Sequence, residues 1–113
     1  MKKLPAFFYR LDSGREPVRE FLLDLGKTDS TIIGNDIKTV ERGWPVGMPV
    51  CKPLVSGLWQ VRSNLSDNRI ARIIFCIHQG KMYLLHGFIK KTIETPKADM
   101  DLAKDRMRIL KRG

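Results

Sequence analysis

Apolar residues in the first part of the chain recur at the spacings expected of one strand and two helices. The run from Ala6 to Leu11 is rich in aromatic residues and ends at Asp-Ser-Gly, which predicts a strand followed by a turn. Pro17 suits the first turn of a helix, and Gly26 ends it. The apolar positions at helical spacing between them are Val18, Phe21, Leu22 and Leu25. A second helix is predicted to end at Gly43, and its buried side carries Ile33, Ile37 and Val40.

The middle of the chain changes to the alternating pattern of β-strands. The segment GWPVGMP, from Gly43 to Pro49, contains two glycines and two prolines and is predicted to be a loop. Leu58 to Ser63 alternates as a strand does, Arg69 to His78 predicts a longer strand, and a tight turn leads into a third strand from Lys81 to Ile89. In the first two of these strands, three polar or basic residues fall on the face opposite Val61 and Phe75, namely Gln60, Arg62 and Arg72.

A last helix completes the predicted fold. Thr95-Pro96 marks its start, and its apolar stripe comprises Met100, Ala103, Met107 and Leu110. The predicted order is β-α-α-β-β-β-α, in which the last three strands are consecutive and antiparallel. We therefore expect one α+β domain over residues 1–113, with a single antiparallel sheet and helices on one side of it. The other face of the sheet, or the groove beside the last helix, would then be open to a ligand.

The charge of the chain is concentrated in its middle. The formal net charge is +9, from 21 Lys plus Arg against 12 Asp plus Glu. Residues 51–91 contain seven of the basic side chains and a single acidic one, Asp67. A localised positive field attracts a polyanion, whereas a charge that only keeps a protein soluble does not need to be segregated. Both interpretations stay open at this point, and the segregation favours a polyanionic partner.

The remaining composition argues against several classes of protein. No apolar run is long enough to span a bilayer, and Leu4 to Tyr9 is too short for a signal peptide, so a cytoplasmic protein is expected. Cys51 and Cys76 are predicted to be buried free thiols. A two-metal nuclease needs several carboxylates, and the cysteines and histidines lack the spacing of a zinc site. We therefore expect no metal ion and no other cofactor.

A basic set on or near the predicted sheet is the best candidate for chemistry. RNA carries its own nucleophile, the 2′-hydroxyl, so a protein can cleave it without metal by orienting that group, stabilising the charged phosphorus centre and moving protons. Arginine suits the phosphate, and histidine or lysine suits proton transfer. The candidate catalytic residues are Arg62, Arg72, His86, Lys90 and Lys91. The structural alternatives are that the arginines and lysines are solvated and that His86 is a hydrogen-bonded core residue.

A second group is predicted to contact RNA without reacting. Phe88 offers a ring on which a base can stack, although an aromatic residue on a half-buried sheet also suits the core. The other members are polar or basic residues of the strands and of the last helix. The predicted RNA-binding residues are Lys52, Gln60, Arg69, Phe88 and Lys97.

Several strings of the chain resemble the phage-derived HigB-like branch of the RelE/ParE type II toxin superfamily. The resemblance extends over nearly the whole chain, in order and in length. The strings are REPVREFLLDL (Arg15 to Leu25), VERGWP (Val40 to Pro45), GWPVGMP, SGLWQVR (Ser56 to Arg62), ARIIF (Ala71 to Phe75) and, the most specific, LHGFIKKTIETP (Leu85 to Pro96).

The resemblance implies a RelE-like, microbial-RNase-like fold and an endoribonuclease that cuts mRNA in the ribosomal A site and so inhibits translation. It implies site roles for Arg62, Arg72 and the basic pair Lys90-Lys91. Several RelE-type toxins have lysines on the strand where this chain has Leu58 and Gln60. They also have a tyrosine near the last helix where this chain has only Thr92, Thr95 and Pro96. This departure leaves the proton-transfer groups open, with His86 as the default candidate.

The resemblance also implies partners. A toxin of this type requires a cognate helix-turn-helix antitoxin, HigA-like and encoded by the adjacent gene, and operator DNA would be bound only through that antitoxin. No membrane partner is expected. Two alternatives stay open, because one fold can host several activities. One is a ParE-like inhibitor of DNA gyrase that cleaves nothing, and the other is a non-catalytic phage protein that binds nucleic acid.

Overall fold

The structure is a computed structural model and describes residues 2–113. This part of the chain contains five strands and three helices. A single 3₁₀ turn, Val55–Gly57, precedes the third strand. In chain order the elements are β1 (Ala6–Phe8), α1 (Pro17–Leu25), α2 (Lys27–Gly43), β2 (Cys51–Pro53), β3 (Leu58–Asn64), β4 (Ile70–His78), β5 (Lys81–Ile89) and α3 (Lys97–Arg112). The α+β class and the bounds predicted for α1 are confirmed.

The strands form one mixed sheet in the order β1-β5-β4-β3-β2. Strands β2 to β5 pair antiparallel, but β1 pairs parallel with β5, with Phe7 opposite Tyr83. The prediction of a wholly antiparallel sheet is therefore wrong. The predicted order also lacks β2, which the sequence hides because this strand has three residues and ends in a proline. Alternation of apolar and polar residues shows which side chains share a face of the sheet. It does not show whether β1 runs parallel or antiparallel to β5, because that depends on the whole path of the chain between them.

Helices cover both faces of the sheet, so the expectation of helices on one side is also wrong. Helices α1 and α2 bury one face in a core that includes Val18, Ile33 and Phe75. Helix α3 packs on the other face through Ala103, which lies in a second buried cluster with Leu58, Ile74 and Leu85. Over these positions β3 and β4 carry apolar side chains on both faces of the sheet, so each face must be covered by a helix. Arg72 lies on this face too, where the segment before α3 reaches it through Ile93 and Thr95.

A glycine in β5 allows α1 to approach the sheet closely. A Cβ atom added at Gly87 would lie 2.6 Å from Cδ2 of Phe21 on α1 and 2.9 Å from Cδ1 of Ile73 on β4. Both neighbours are held within the core, so neither can move without disturbing its own packing. The absence of a side chain at this position therefore sets the distance between α1 and the centre of the sheet.

No helix within residues 2–113 is long and apolar enough to cross a membrane.

The close approach at Gly87 predicts a cost for the smallest possible side chain. Gly87→Ala should lower the free energy of unfolding by about 1–3 kcal/mol, because overpacking displaces Phe21 and Ile73. Urea denaturation followed by circular dichroism measures this change. The matched control is Gly34→Ala in α2, where an added Cβ meets nothing within 4 Å and helix propensity favours alanine by up to about 1 kcal/mol. Equal stability of Gly87→Ala and the wild type would contradict the proposed packing constraint.

Candidate nucleic-acid interface

Two arginines face each other across neighbouring strands on the α3 side of the sheet. Arg62 of β3 and Arg72 of β4 are register partners, and Arg72 is in turn paired with Phe88 of β5. A small pocket of about 60 Å³ lies against the arginines. Its lining combines the strand residues with the loop that precedes β2 and consists of Met48, Pro49, Val50, Lys52, Gln60, Arg62 and Arg72. Four of the sequence-predicted residues are thus brought together here.

Neutral oxygen atoms hold the Arg72 side chain, which is 4% exposed. Its Nη2 donates to the carbonyl oxygen of Ile93 at 3.2 Å, and its Nη1 donates to Oγ1 of Thr95 at 3.4 Å. The Thr95 hydroxyl then donates to Oε1 of Gln60 at 3.3 Å. The segment between β5 and α3 therefore folds back over the arginine and fixes the guanidinium in place without neutralising its charge.

The arginine pair has no carboxylate partner among residues 2–113. None of the ion pairs in this part of the chain includes Arg62 or Arg72, and the buried Nε atom of each has no hydrogen-bond acceptor there. Burial first, and then the like charge of Arg62, lowers the pKa of Arg72 below its ordinary value. Two adjacent cations that are partly removed from water repel each other, and a bound anion would relieve that repulsion. The arrangement is therefore suited to an anion.

Two lysines at the end of β5 extend the positive surface. The backbone N–H of Lys90 donates to the carbonyl oxygen of Ile70 at 2.7 Å, which continues the β4–β5 pairing by one residue. Partial burial, followed by the charges of Arg72, Arg62 and Lys52, lowers the pKa of Lys90. Lys91 is exposed and borders two clefts, of about 420 and 470 Å³. Lys90 is thus close enough to the arginine pair for their charges to affect its pKa. Lys91 lies at the rim of this positive surface.

His86 is also on this face, and its ring is hydrogen-bonded to a carboxylate. Its Nε2 lies 2.6 Å from Oδ1 of Asp99 in the first turn of α3. Its ring stacks on Phe88, with centroids 5.6 Å apart and an interplanar angle of 19°. Phe88 itself borders the 420 Å³ cleft together with Lys91 and Asp99. His86 is therefore hydrogen-bonded, as the core alternative expects, but it lies beside an open cleft.

The other two predicted RNA contacts, Arg69 and Lys97, are bound to acidic side chains. Arg69 donates from Nη2 to Asp29 and from Nε to Asp67, both at 2.6 Å, and Asp29 also accepts hydrogen bonds from the backbone and hydroxyl of Ser66. This network fixes the β3–β4 turn to the start of α2. Lys97 is exposed and pairs with Asp101 at 2.6 Å, one turn along α3.

The described residues offer no metal-binding cluster. No group of three or more His, Cys, Asp or Glu side chains within residues 2–113 is arranged to hold a metal ion. Cys51 and Cys76 are buried free thiols, as predicted, and burial raises the pKa of each to about 11. Neither thiol is therefore an available nucleophile near neutral pH.

Residues 20–108 match the model of a family described as phage derived protein Gp49-like (DUF891). The chain belongs to this Gp49-like family. The family is of the RelE/HigB-like toxin type, so the predicted kinship is confirmed at that level, while the HigB branch stays a prediction. No curated protein matches the chain. The match extends across every residue placed in the interface above.

Two side chains of the interface in this Gp49-like protein were not among the predicted site residues. Thr95 links Arg72 to Gln60, and Asp99 holds His86. Thr95 lies just before α3 and Asp99 lies in its first turn, where Thr-Pro and a nearby acidic residue are typical of a helix N-terminus. That local signal explains their presence without indicating a second contact, because their partners lie 23 and 13 residues away along the chain.

Replacing Arg72 should separate stability from anion binding. Arg72→Met removes a buried cation that lacks a carboxylate partner within residues 2–113. The free energy of unfolding should therefore stay the same or rise by about 1 kcal/mol. Wild-type protein should gain thermal stability in inorganic phosphate, and the variant should lose that gain. Differential scanning calorimetry with and without phosphate measures both effects. Arg19→Met, at an exposed position of α1, is the control and should keep the phosphate response; a full phosphate response in Arg72→Met would contradict the assignment.

Arg69 is expected to matter more for folding than Lys97. Arg69→Ala leaves the buried carboxylate of Asp29 without its cationic partner and should cost about 1–3 kcal/mol of unfolding free energy. Lys97→Ala breaks only an exposed pair and should change it by less than about 1 kcal/mol. Guanidinium denaturation of both variants gives the comparison. Equal losses for the two would show that the Asp29 network does not hold the turn.

Proposed function

We propose that this Gp49-like protein is the toxin of a type II toxin–antitoxin pair and acts as a ribosome-dependent endoribonuclease that cuts mRNA and so inhibits translation. The observation that carries the proposal is the cross-strand pair of Arg62 and Arg72, which lies at a surface pocket and has no carboxylate partner within residues 2–113. Membership of a family of the RelE/HigB-like toxin type supports the same activity. The RelE-like fold and the HigB branch are part of the proposal.

The arginine pair would act on the phosphate of the scissile bond. The 2′-oxygen of the preceding ribose attacks phosphorus, the bond from phosphorus to the 5′-oxygen breaks, and the products carry a 2′,3′-cyclic phosphate and a 5′-hydroxyl. Negative charge builds up on the non-bridging oxygens during this step. Arg62 and Arg72 would hold these oxygens and stabilise that charge, and the fixed guanidinium of Arg72 needs little reorganisation to do so.

Proton transfer would fall to His86 and Lys90. An imidazole with one free nitrogen can accept the proton of the 2′-hydroxyl. A lysine whose pKa is lowered releases its proton more readily than an ordinary lysine, so Lys90 suits protonation of the departing 5′-oxygen. Lys91, exposed at the rim, would contact a flanking phosphate.

The predicted RNA contacts would extend from this centre in two directions. Phe88 lies opposite Arg72 and borders an open cleft, where a base can stack. Lys52 and Gln60 line the pocket beside the arginines. Arg69 and Lys97 would contribute at most long-range attraction to phosphate, because each is paired with an acidic side chain.

The proposed partners follow from the proposed activity. The mRNA and the ribosomal A site would be reached in the cytoplasm, and a HigA-like helix-turn-helix antitoxin would restrain the free toxin. Operator DNA would be bound only through that antitoxin.

Expression in a bacterial host tests the function. We expect growth arrest, and primer extension should detect cuts inside a translated reporter mRNA that disappear when its start codon is removed. Arg72→Ala and Lys91→Ala should relieve toxicity while circular dichroism and antitoxin binding stay unchanged. Lys38→Ala, at an exposed position of α2, should remain toxic.

Other outcomes would replace the proposal. Intact mRNA together with a loss of gyrase supercoiling would favour a ParE-like inhibitor. RNA binding without cleavage and without growth arrest would favour a non-catalytic nucleic-acid-binding protein. Full toxicity of both Arg72→Ala and Lys91→Ala would overturn the assignment of the site.

A further inference from the structure

The hydrogen bond between His86 and Asp99 defines the tautomer of the imidazole. An ionised carboxylate can only accept, so the Nε2 that lies 2.6 Å from Asp99 must carry the proton. Neutral imidazole then has its lone pair on Nδ1. Among residues 2–113 no other side chain hydrogen-bonds to His86, so Nδ1 is not occupied by the protein.

Two further restraints hold the ring on the face where the arginines lie. Phe88 stacks on it, and Phe88 is the register partner of Arg72. His86 is itself paired with Ile74, two residues from Arg72 on the same face of β4. The side chains of His86 and Asp99 are 16% and 24% exposed, so the pair is partly shielded, and Asp99 borders the 420 Å³ cleft together with Lys91 and Phe88.

We infer that Asp99 is a positioning residue, which keeps His86 in the Nε2–H tautomer with Nδ1 free to accept a proton from RNA. This inference rests on the proposed endoribonuclease activity and adds to it the group that prepares the base. The 2′-hydroxyl proton passes to Nδ1 as the 2′-oxygen–phosphorus bond forms. The phosphorus–5′-oxygen bond breaks, and the 5′-oxygen takes its proton from Lys90.

The charges around His86 explain why the carboxylate matters for this step. Arg106 of α3 donates to the carbonyl oxygen of Leu85 at 2.7 Å, Arg72 of β4 faces Phe88, and Lys91 borders the same cleft. All three are cations. Asp99 is the acidic side chain in contact with the ring, so it offsets their charge at the histidine as well as selecting the tautomer.

Cleavage kinetics test the inference in the full-length protein. Asp99→Asn should lower the single-turnover rate constant for cleavage of ribosome-bound mRNA by roughly tenfold to a hundredfold, with little change in the half-saturating concentration. His86→Gln should lower it at least as much, and the double variant should be no slower than His86→Gln, because Asp99 acts through the histidine. Asp101→Asn, two residues along α3, removes a carboxylate paired only with Lys97 and should stay within about twofold of wild type.

Nitrogen-15 NMR of the free protein provides a readout that does not depend on cleavage. His86 of the wild type should show the Nε2–H tautomer, and Asp99→Asn should convert it to a mixture of tautomers. The signals of His78, which lies at the β4–β5 turn, should not change. An Nδ1–H tautomer in the wild type would overturn the inference even if no variant folds.

The remaining outcomes separate the inference from the proposed function. If wild-type protein cuts mRNA and Asp99→Asn cuts it equally fast, or loses activity only in proportion to its unfolded fraction by circular dichroism, the positioning role is wrong and the endoribonuclease proposal stands. If the effects of Asp99→Asn and His86→Gln multiply in the double variant, Asp99 does not act through His86. If wild-type protein does not cut mRNA, the proposed function falls and the inference falls with it.

Discussion

Arg72 is a buried cation whose hydrogen-bond partners are neutral oxygen atoms. The arrangement of the interface depends on these neutral partners. A carboxylate beside it would have stabilised the fold and neutralised the charge. The Ile93 carbonyl and the Thr95 hydroxyl fix the guanidinium, leave its charge intact and tie the segment before α3 to the sheet. Burial first, and then neighbouring positive charge, lowers the pKa of both Arg72 and Lys90. The buried charge that no carboxylate neutralises lowers the stability of the fold locally. The same charge keeps a positive electrostatic potential that attracts an anion.

The position of α3 decides which part of the sheet carries that field. Its stripe around Ala103 covers the apolar end of the second face, where Leu58, Ile74 and Leu85 lie. The same strands also carry Gln60, Arg62 and Arg72. The first turn of α3 supplies Asp99 to His86. A single helix therefore completes a core with its middle and builds part of the interface with its N-terminal end.

Local patterns predicted the elements well and the contacts between them poorly. The bounds of α1 and the division of β3 and β4 into two faces followed from spacing alone, because helical and strand periods are properties of neighbouring residues. The parallel pairing of β1 with β5 and the placement of helices on both faces depend on contacts between residues far apart in the chain. The spacing of apolar residues within one element does not predict such contacts. The basic residues of the interface were recognisable by charge and by resemblance. Thr95 and Asp99 were not, since each resembles an ordinary helix-start residue until its distant partner is known.

Ion pairing divides the basic residues into two groups that composition alone cannot separate. One group lies within 3 Å of a carboxylate oxygen, which largely neutralises its charge. It consists of Arg15, Arg69, Lys97 and Arg108. Arg62, Arg72, Lys90 and Lys91 form no ion pair among residues 2–113, although three of them are partly or fully buried, where a partner would be most useful. Solubility needs exposed charge and does not reward burying it. These four residues lie together at the ends of β3, β4 and β5, beside one pocket and two clefts, so an anionic ligand there explains their unpaired charge better than solubility does.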